Sequence, residues 1–197
     1  MTVRRIIAAA LPLALAVALG ACGNRQDTVT DAESEGLYVD VGGLTYQVQI
    51  SRELNARDEE DQAYLKGLPP GTPALKPSES WFGVFMQVRN EENEPATSAR
   101  DFRIVNTQHE EGKPCEPVNG CFDAVQLDGA VNPFAWTSTQ VDPGELFPPS
   151  SSAAQYGPIQ GSMVLFRIPL ASYENRPLEL TITGALPTQE GRVTLDL

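Results

Sequence analysis

Trp81-Phe82-Gly83-Val84-Phe85-Met86-Gln87-Val88-Arg89 is the stretch on which the fold turns. Phe82, Val84, Met86 and Val88 recur at every second position, the spacing that puts side chains on one face of a β-strand. Trp81 and Phe85 fall on the other face, so the strand is expected to be covered in part on both sides. Upstream, Leu44, Tyr46, Val48 and Ile50 alternate with Thr45, Gln47, Gln49 and Ser51, a strand with one dry and one wet face. Further strands are predicted over residues 101–106, 122–127, 162–168, 178–183 and 192–197. The last two alternate cleanly, through Leu178, Leu180 and Ile182 and then Val193, Leu195 and Leu197.

Outward from these runs, the 16 prolines and 16 glycines fall mostly between strands, where they punctuate turns. No window carries an apolar stripe at 3.6 spacing beyond a turn or two of helix over residues 58–65. About seven to nine short strands in a chain of 197 residues predict an all-β fold, an antiparallel β-sandwich. An up-and-down barrel with an internal cavity is the second choice. Two long Pro-rich loops interrupt the pattern, residues 55–80 and 142–161. Connections of that length often carry function, so binding is expected there.

The N-terminus reads Met-Thr-Val-Arg-Arg, then an apolar run over residues 6–19 broken only by Pro12, then Gly20-Ala21-Cys22. Charge, apolar run and small residues in that order form an export signal. Leu19-Gly20-Ala21-Cys22 resembles the lipobox of bacterial lipoproteins, which implies cleavage before Cys22 and a diacylglyceryl thioether on its sulfur. Residues 1–21 are then the signal peptide. Residues 22–36, with Asp27, Asp31, Glu33 and Glu35 and almost no apolar side chain, read as the lipidated cysteine and a flexible acidic tether. Residues 37–197 are the domain, held at the extracytoplasmic face of the cell membrane. Multiple acyl chains, each worth about 0.8 kcal/mol per buried CH₂, make such an anchor stable.

Three cysteines leave an odd one in an exported chain, and lipidation of Cys22 removes it. Cys115 and Cys121 bracket Glu-Pro-Val-Asn-Gly, a turn whose ends can meet. An oxidising compartment favours a disulfide between them. A redox-active pair and half of a metal site are the alternatives, against which stand the spacing and the lack of a second pair or histidine cluster.

The 81–90 strand with its terminal Asn90, the polar turn at 91–95 and the strand around 102–105 together resemble immunoglobulin-like domains of bacterial lipoproteins, including domain of unknown function 4352. The Asn132-Pro133-Phe134-Ala135-Trp136 segment, the Val141-Asp142-Pro143-Gly144 turn and residues 165–178 are similar to actinobacterial members of that group. The resemblance implies a sandwich fold and an envelope location, and it brings no catalytic residues.

The formal charge is −12, and −14 once the leader with Arg4 and Arg5 is gone. That sign excludes nucleic acid and direct attraction to anionic headgroups. No catalytic residues, cofactor or metal are expected. There is no Gly-x-Ser-x-Gly elbow, Ser-x-x-Lys or His-Glu-x-x-His, and the one histidine, His109, lies in a charged turn. Asp58-Glu59-Glu60-Asp61 and Asn90-Glu91-Glu92-Asn93-Glu94 lack the EF-hand ladder and read as solvated turns, not as calcium sites. Trp81 is expected in the core. Phe134, Trp136 and Tyr156 are the candidate ligand surface, suited to extended peptide or glycan. The function expected is a membrane-anchored, non-enzymatic interaction module with an envelope protein as partner; the alternative is an envelope ligand carrier or hydrolase with a barrel cavity.

Overall fold

The computed structural model describes residues 28–196. Among them, eight strands have four residues or more: β2 (Tyr38–Val41), β3 (Leu44–Leu54), β4 (Glu79–Arg89), β6 (Asp101–Val105), β7 (Cys121–Val125), β10 (Ser162–Pro169), β11 (Leu178–Thr183) and β12 (Glu190–Leu195). Four two-residue strands complete the set: β1 (Asp31–Ala32), β5 (Ala96–Thr97), β8 (Gln140–Val141) and β9 (Leu146–Phe147). Two short helices, α1 (Glu59–Tyr64) and α2 (Ala153–Tyr156), lie in the two Pro-rich connections. The all-β sandwich expected from the alternation is the fold of the chain.

The strands run in the order β1-β12-β11-β6-β7-β10-β4-β3-β2, with β9 added beside β4. β7 belongs to both layers. Residues 121–123 pair with β6, and Ala124 and Val125 pair with Phe166 and Leu165 of β10. One layer is therefore β2-β3-β4-β10, the other β6-β11-β12, and their inner faces meet over a single core. Phe82, Val84, Met86 and Val88 of β4 face Ile104, Phe122, Leu180, Ile182 and Val193 there.

Trp81 and Phe85, on the opposite side of β4, anchor a second apolar cluster with Leu54, Tyr64, Met163 and Leu165. Gly83 sits between them because the space is taken. A methyl group there would come within 3.1 Å of Met163 Sδ and 3.2 Å of Leu54 Cδ1. What covers this outer face is the loop material itself. Leu65, Leu68 and Leu75 from the first Pro-rich connection, Leu127 and Phe134 from the β7–β8 connection and Ile159 from the second Pro-rich connection all pack on it. These long loops, where binding is expected, thus have a structural role as well: their apolar residues gain more by covering β4 than by remaining in water.

A correction lies in β3. Its pairing with β4 shifts between Val48 and Ile50, a bulge at Gln49. One extra residue reverses the face of every side chain beyond it. Leu44, Tyr46 and Val48 enter the core, whereas Ile50, read as the next residue of that dry face, is 38% exposed and Ser51 is buried instead.

The stretch expected as a free tether is docked from Val29 onward; its earlier part, with Cys22 and the signal segment, lies outside the described residues. β1 pairs in parallel with β12 and Ala32 is buried. Val29 O accepts from Asp40 N at 2.6 Å, and Thr30 O accepts from Arg192 N at 2.8 Å. The lead-in strand therefore fills the seam between β2 and β12, the two edges of the rolled sheet. Unpaired edge groups are what the sheet most needs covered, and backbone alone supplies that cover. Polar composition did not prevent docking, because only N–H and C=O groups were required.

Glu35 locks this segment. Its carboxylate accepts from Ser51 Oγ, from Ser51 N at 3.1 Å and from Asp196 N at 3.2 Å. Half-burial pushes its pKa up, more strongly than the hydrogen bonds pull it down, and Asp196 adds to the rise. An acid whose folded pKa lies above its unfolded value contributes stability that is present at low pH and lost as pH rises through the folded value. Glu35→Gln stays neutral throughout. Its melting temperature relative to the native chain is expected to be higher at pH 7 than at pH 4.5, measured by thermal scans of both proteins; a constant difference would contradict this.

Candidate functional site

The three residues expected to form a ligand surface do not come together. Trp136 is 7% exposed and belongs to the core between the layers. Its ring meets Phe102 and Phe147 edge-on at 5.4 and 5.3 Å, and its Nε1–H donates to Ala99 O at 2.8 Å. Phe134, two residues earlier, points into the outer cluster and stacks edge-on with Tyr64 at 4.9 Å. Tyr156 at the end of α2 is 78% exposed, apart from both clusters. The segment is a loop, as its Pro133 suggests, but a loop pinned on two sides. Phe134 O accepts from Met163 N at 2.6 Å and Trp136 N donates to Met163 O at 2.8 Å. An aromatic groove made of these residues is ruled out by that division.

The acidic turns have structural tasks. Asp58 caps α1, its Oδ1 accepting from Glu60 N at 3.0 Å, an N-cap of the favoured type. Asp61 is buried, paired with Arg52 and accepting from Asn55 N at 2.7 Å. Asn90 is fully buried; its amide donates to Glu94 O and Val141 O, both at 2.8 Å. The first Pro-rich loop is fastened at its far end by Arg167, which pairs with Glu79 and donates to Pro73 O and Ala74 O. The backbone N–H of Lys76 and the Arg167 guanidinium hold the Glu79 carboxyl below its ordinary pKa. Within the core, burial pushes the Tyr46 phenol up to about 12, and its oxygen accepts from Ala99 N at 2.7 Å.

Cys115 and Cys121 form a disulfide with their Cα atoms 4.9 Å apart. It ties the long β6–β7 connection to the start of β7, next to a 3₁₀ turn at Pro117–Asn119. That connection folds back over the outer face of β6, β11 and β12, enclosing a cleft of about 310 Å³. The floor is set by strand register: Thr181 pairs with Arg103 on one side and Arg192 on the other, so the two arginines flank a hydroxyl. Arg103 Nε is held by Asp123 at 2.9 Å, and Arg192 Nε lies 4.0 Å from Glu179. The roof carries His109, Glu111 and Lys113.

His109 lies in a turn whose charge reads as that of a solvated loop. It is half-buried, and its Nδ1 is enclosed with no hydrogen-bond partner among the described residues. No spacing in the sequence could announce the cleft, because floor and roof come from four separate segments. Chemically it offers donors and acceptors of both signs around a hydroxyl, at the small end of the volumes that hold ligands. The cysteines are consumed in the disulfide, so the lining has no thiol to act as nucleophile.

The chain matches no protein-family model and no curated protein sequence. Among solved structures, the YjhA protein of Bacillus subtilis superposes with a TM-score of 0.51 at 10% identity, over 83% of this chain and 99% of its own. The YcdA protein of the same species, provisionally classed as a lipoprotein, gives 0.48 at 10% identity over 83% of this chain and 39% of its own. An uncharacterized β-sandwich protein of Clostridium difficile gives 0.42 at 9% identity over 84% of this chain and 95% of its own. At identities this low the similarity carries the fold alone.

Proposed function

We propose that the chain is a lipid-anchored, non-enzymatic binding module of the cell envelope, displayed on the extracytoplasmic face of the membrane and engaging an envelope protein. The observation that carries the reading is the division of labour just described. The apolar residues of the long loops and the aromatics Phe134 and Trp136 are consumed in packing, and a polar cleft of mixed charge is left open on the outer face of β6, β11 and β12. The lipobox-like Leu19-Gly20-Ala21-Cys22 supports the anchor, as does the immunoglobulin-like pattern quoted above. The core between the layers is filled by large side chains, Phe82, Phe166 and Tyr46 among them. That supports a binding module over a carrier with a barrel cavity.

Two measurements test this. Cys22→Ala is expected to abolish incorporation of an alkyne-bearing fatty acid and to move the protein from the membrane to the soluble fraction; retention of label would overturn the anchor. Crosslinking of the native chain in cells, followed by mass spectrometry, is expected to recover a reproducible envelope neighbour that Cys22→Ala loses. Recovery of none would overturn the interaction reading.

A further inference from the structure

Resting on the anchor reading, we propose that the sandwich meets the membrane with one defined end, built from the Gly42–Gly43 turn, the polar turn at residues 90–95 and the β11–β12 hairpin at 184–189, and that its disulfide-pinned end faces away. The argument begins with the docked lead-in. Residues 29–35 are fixed by the β1–β12 pairing, by Asp40 and Arg192 to the backbone of Val29 and Thr30, and by Glu35 to Ser51 and Asp196. Six peptide steps separate Cys22 from Thr28, which at full extension span about 20 Å. A lipid on Cys22 thus holds Thr28 within that distance of the bilayer surface, whatever path the intervening residues take.

Register then says which end Thr28 occupies. Asp31 lies opposite Arg192 in a parallel pair, so Val29 lies beside Glu190, directly after the 184–189 hairpin. Thr45 pairs with Arg89, which brings the 90–95 turn to the same end as Gly42 and Gly43. Two apolar side chains are presented there, Val29 at 48% and Leu186 at 57% exposure. Both flank the point of exit and suit the interfacial region of a neutral bilayer. Glu91, Glu92 and Glu94 share the end, so an anionic surface would hold it off.

The opposite end carries the turn that leads into Cys121, which pairs with Val105. β6 runs from Asp101 beside Thr183 to Val105 beside Glu179, away from the hairpin. At its far side the 3₁₀ turn at Pro117–Asn119, closed by the disulfide, displays Val118 at 81% exposure. A disulfide-closed turn with an apolar tip thus points away from the lipid.

The test uses the full-length lipidated protein in phosphatidylcholine vesicles. A fluorescent amino acid replaces Leu186 in one preparation and Val118 in another, leaving the cysteines untouched, and energy transfer to an acceptor-labelled lipid is read. Flotation with the vesicles is scored first. The length of β11, about 17 Å, lies between the two ends that carry the labels. Transfer from position 186 is expected to exceed that from position 118. Flotation with equal or reversed transfer would overturn the orientation while leaving the anchor standing. Failure to float would overturn the anchor and the orientation together.

Discussion

Replacing Trp136 with alanine lowers the unfolding free energy by about 3–5 kcal/mol, the range for truncating a large buried aromatic. The size follows from what the indole does. It fills the space between Phe102, Phe147 and Tyr46, with ring centroids 5.4, 5.3 and 6.1 Å away, and it occupies the Ala99 carbonyl through Nε1. Alanine leaves a cavity and an unpartnered buried oxygen at once. Phenylalanine keeps much of the volume and loses the hydrogen bond, so Trp136→Phe is expected to cost about 1–2 kcal/mol. Urea unfolding of both variants measures the difference. A loss below about 1 kcal/mol for alanine, typical of an exposed position, would mean that Trp136 belongs to a ligand surface after all.

Asn132→Ala is expected to cost about 3 kcal/mol, because three backbone groups, the Tyr64 carbonyl buried among them, lose their partner together. Asn132 is 1% exposed. Its Oδ1 accepts from Phe134 N at 2.9 Å, and its Nδ2 donates to Tyr64 O at 2.8 Å and Lys66 O at 3.0 Å. One amide thereby joins the end of α1 to the 126–136 loop, the two pieces that cover the outer face of β4. The loss should be felt there first. The two tryptophans are natural reporters, since Trp81 lies in the outer cluster and Trp136 in the core between the layers. With Trp136 replaced by Phe, the remaining Trp81 fluorescence should unfold at lower urea in the Asn132→Ala variant. With Trp81 replaced by Phe, the Trp136 transition should move less. Equal movement of both would show that the outer cluster does not open separately.

Much of this architecture was legible in the chain. Alternation at residues 44–48, 81–89 and 178–183 marks strands because a strand shows its period within a few residues. The two-faced pattern of Trp81 and Phe85 against Phe82, Val84, Met86 and Val88 also announced double cover. It could not name the cover: Tyr64, Leu127, Phe134 and Ile159 lie far away in the chain and carry no common period. Ile50 was misplaced for a different reason. A bulge adds one residue at Gln49 without any compositional mark, and every face beyond it reverses. Phe134 and Trp136 sit two residues apart in a loop, yet they serve different clusters. Nothing local distinguishes a loop that hangs in water from one clamped to Met163 on both sides.

The lead-in and the cleft divide the same way. The sequence by itself determined the strands, the sandwich class, the net acidity, and a cysteine pair six residues apart whose ends could meet. These rest on short-range spacing and on composition, which need no partner to be read. Only the tertiary structure decided that the Pro-rich loops are cover, that Trp136 is core, and that residues 29–36 seal the seam between β2 and β12. It also decided that His109 roofs a cleft floored by Arg103, Thr181 and Arg192. Each of those outcomes depends on which buried groups and edge N–H and C=O groups remain unmatched after the strands pair. That is a property of the assembled sheet, not of any single stretch of chain.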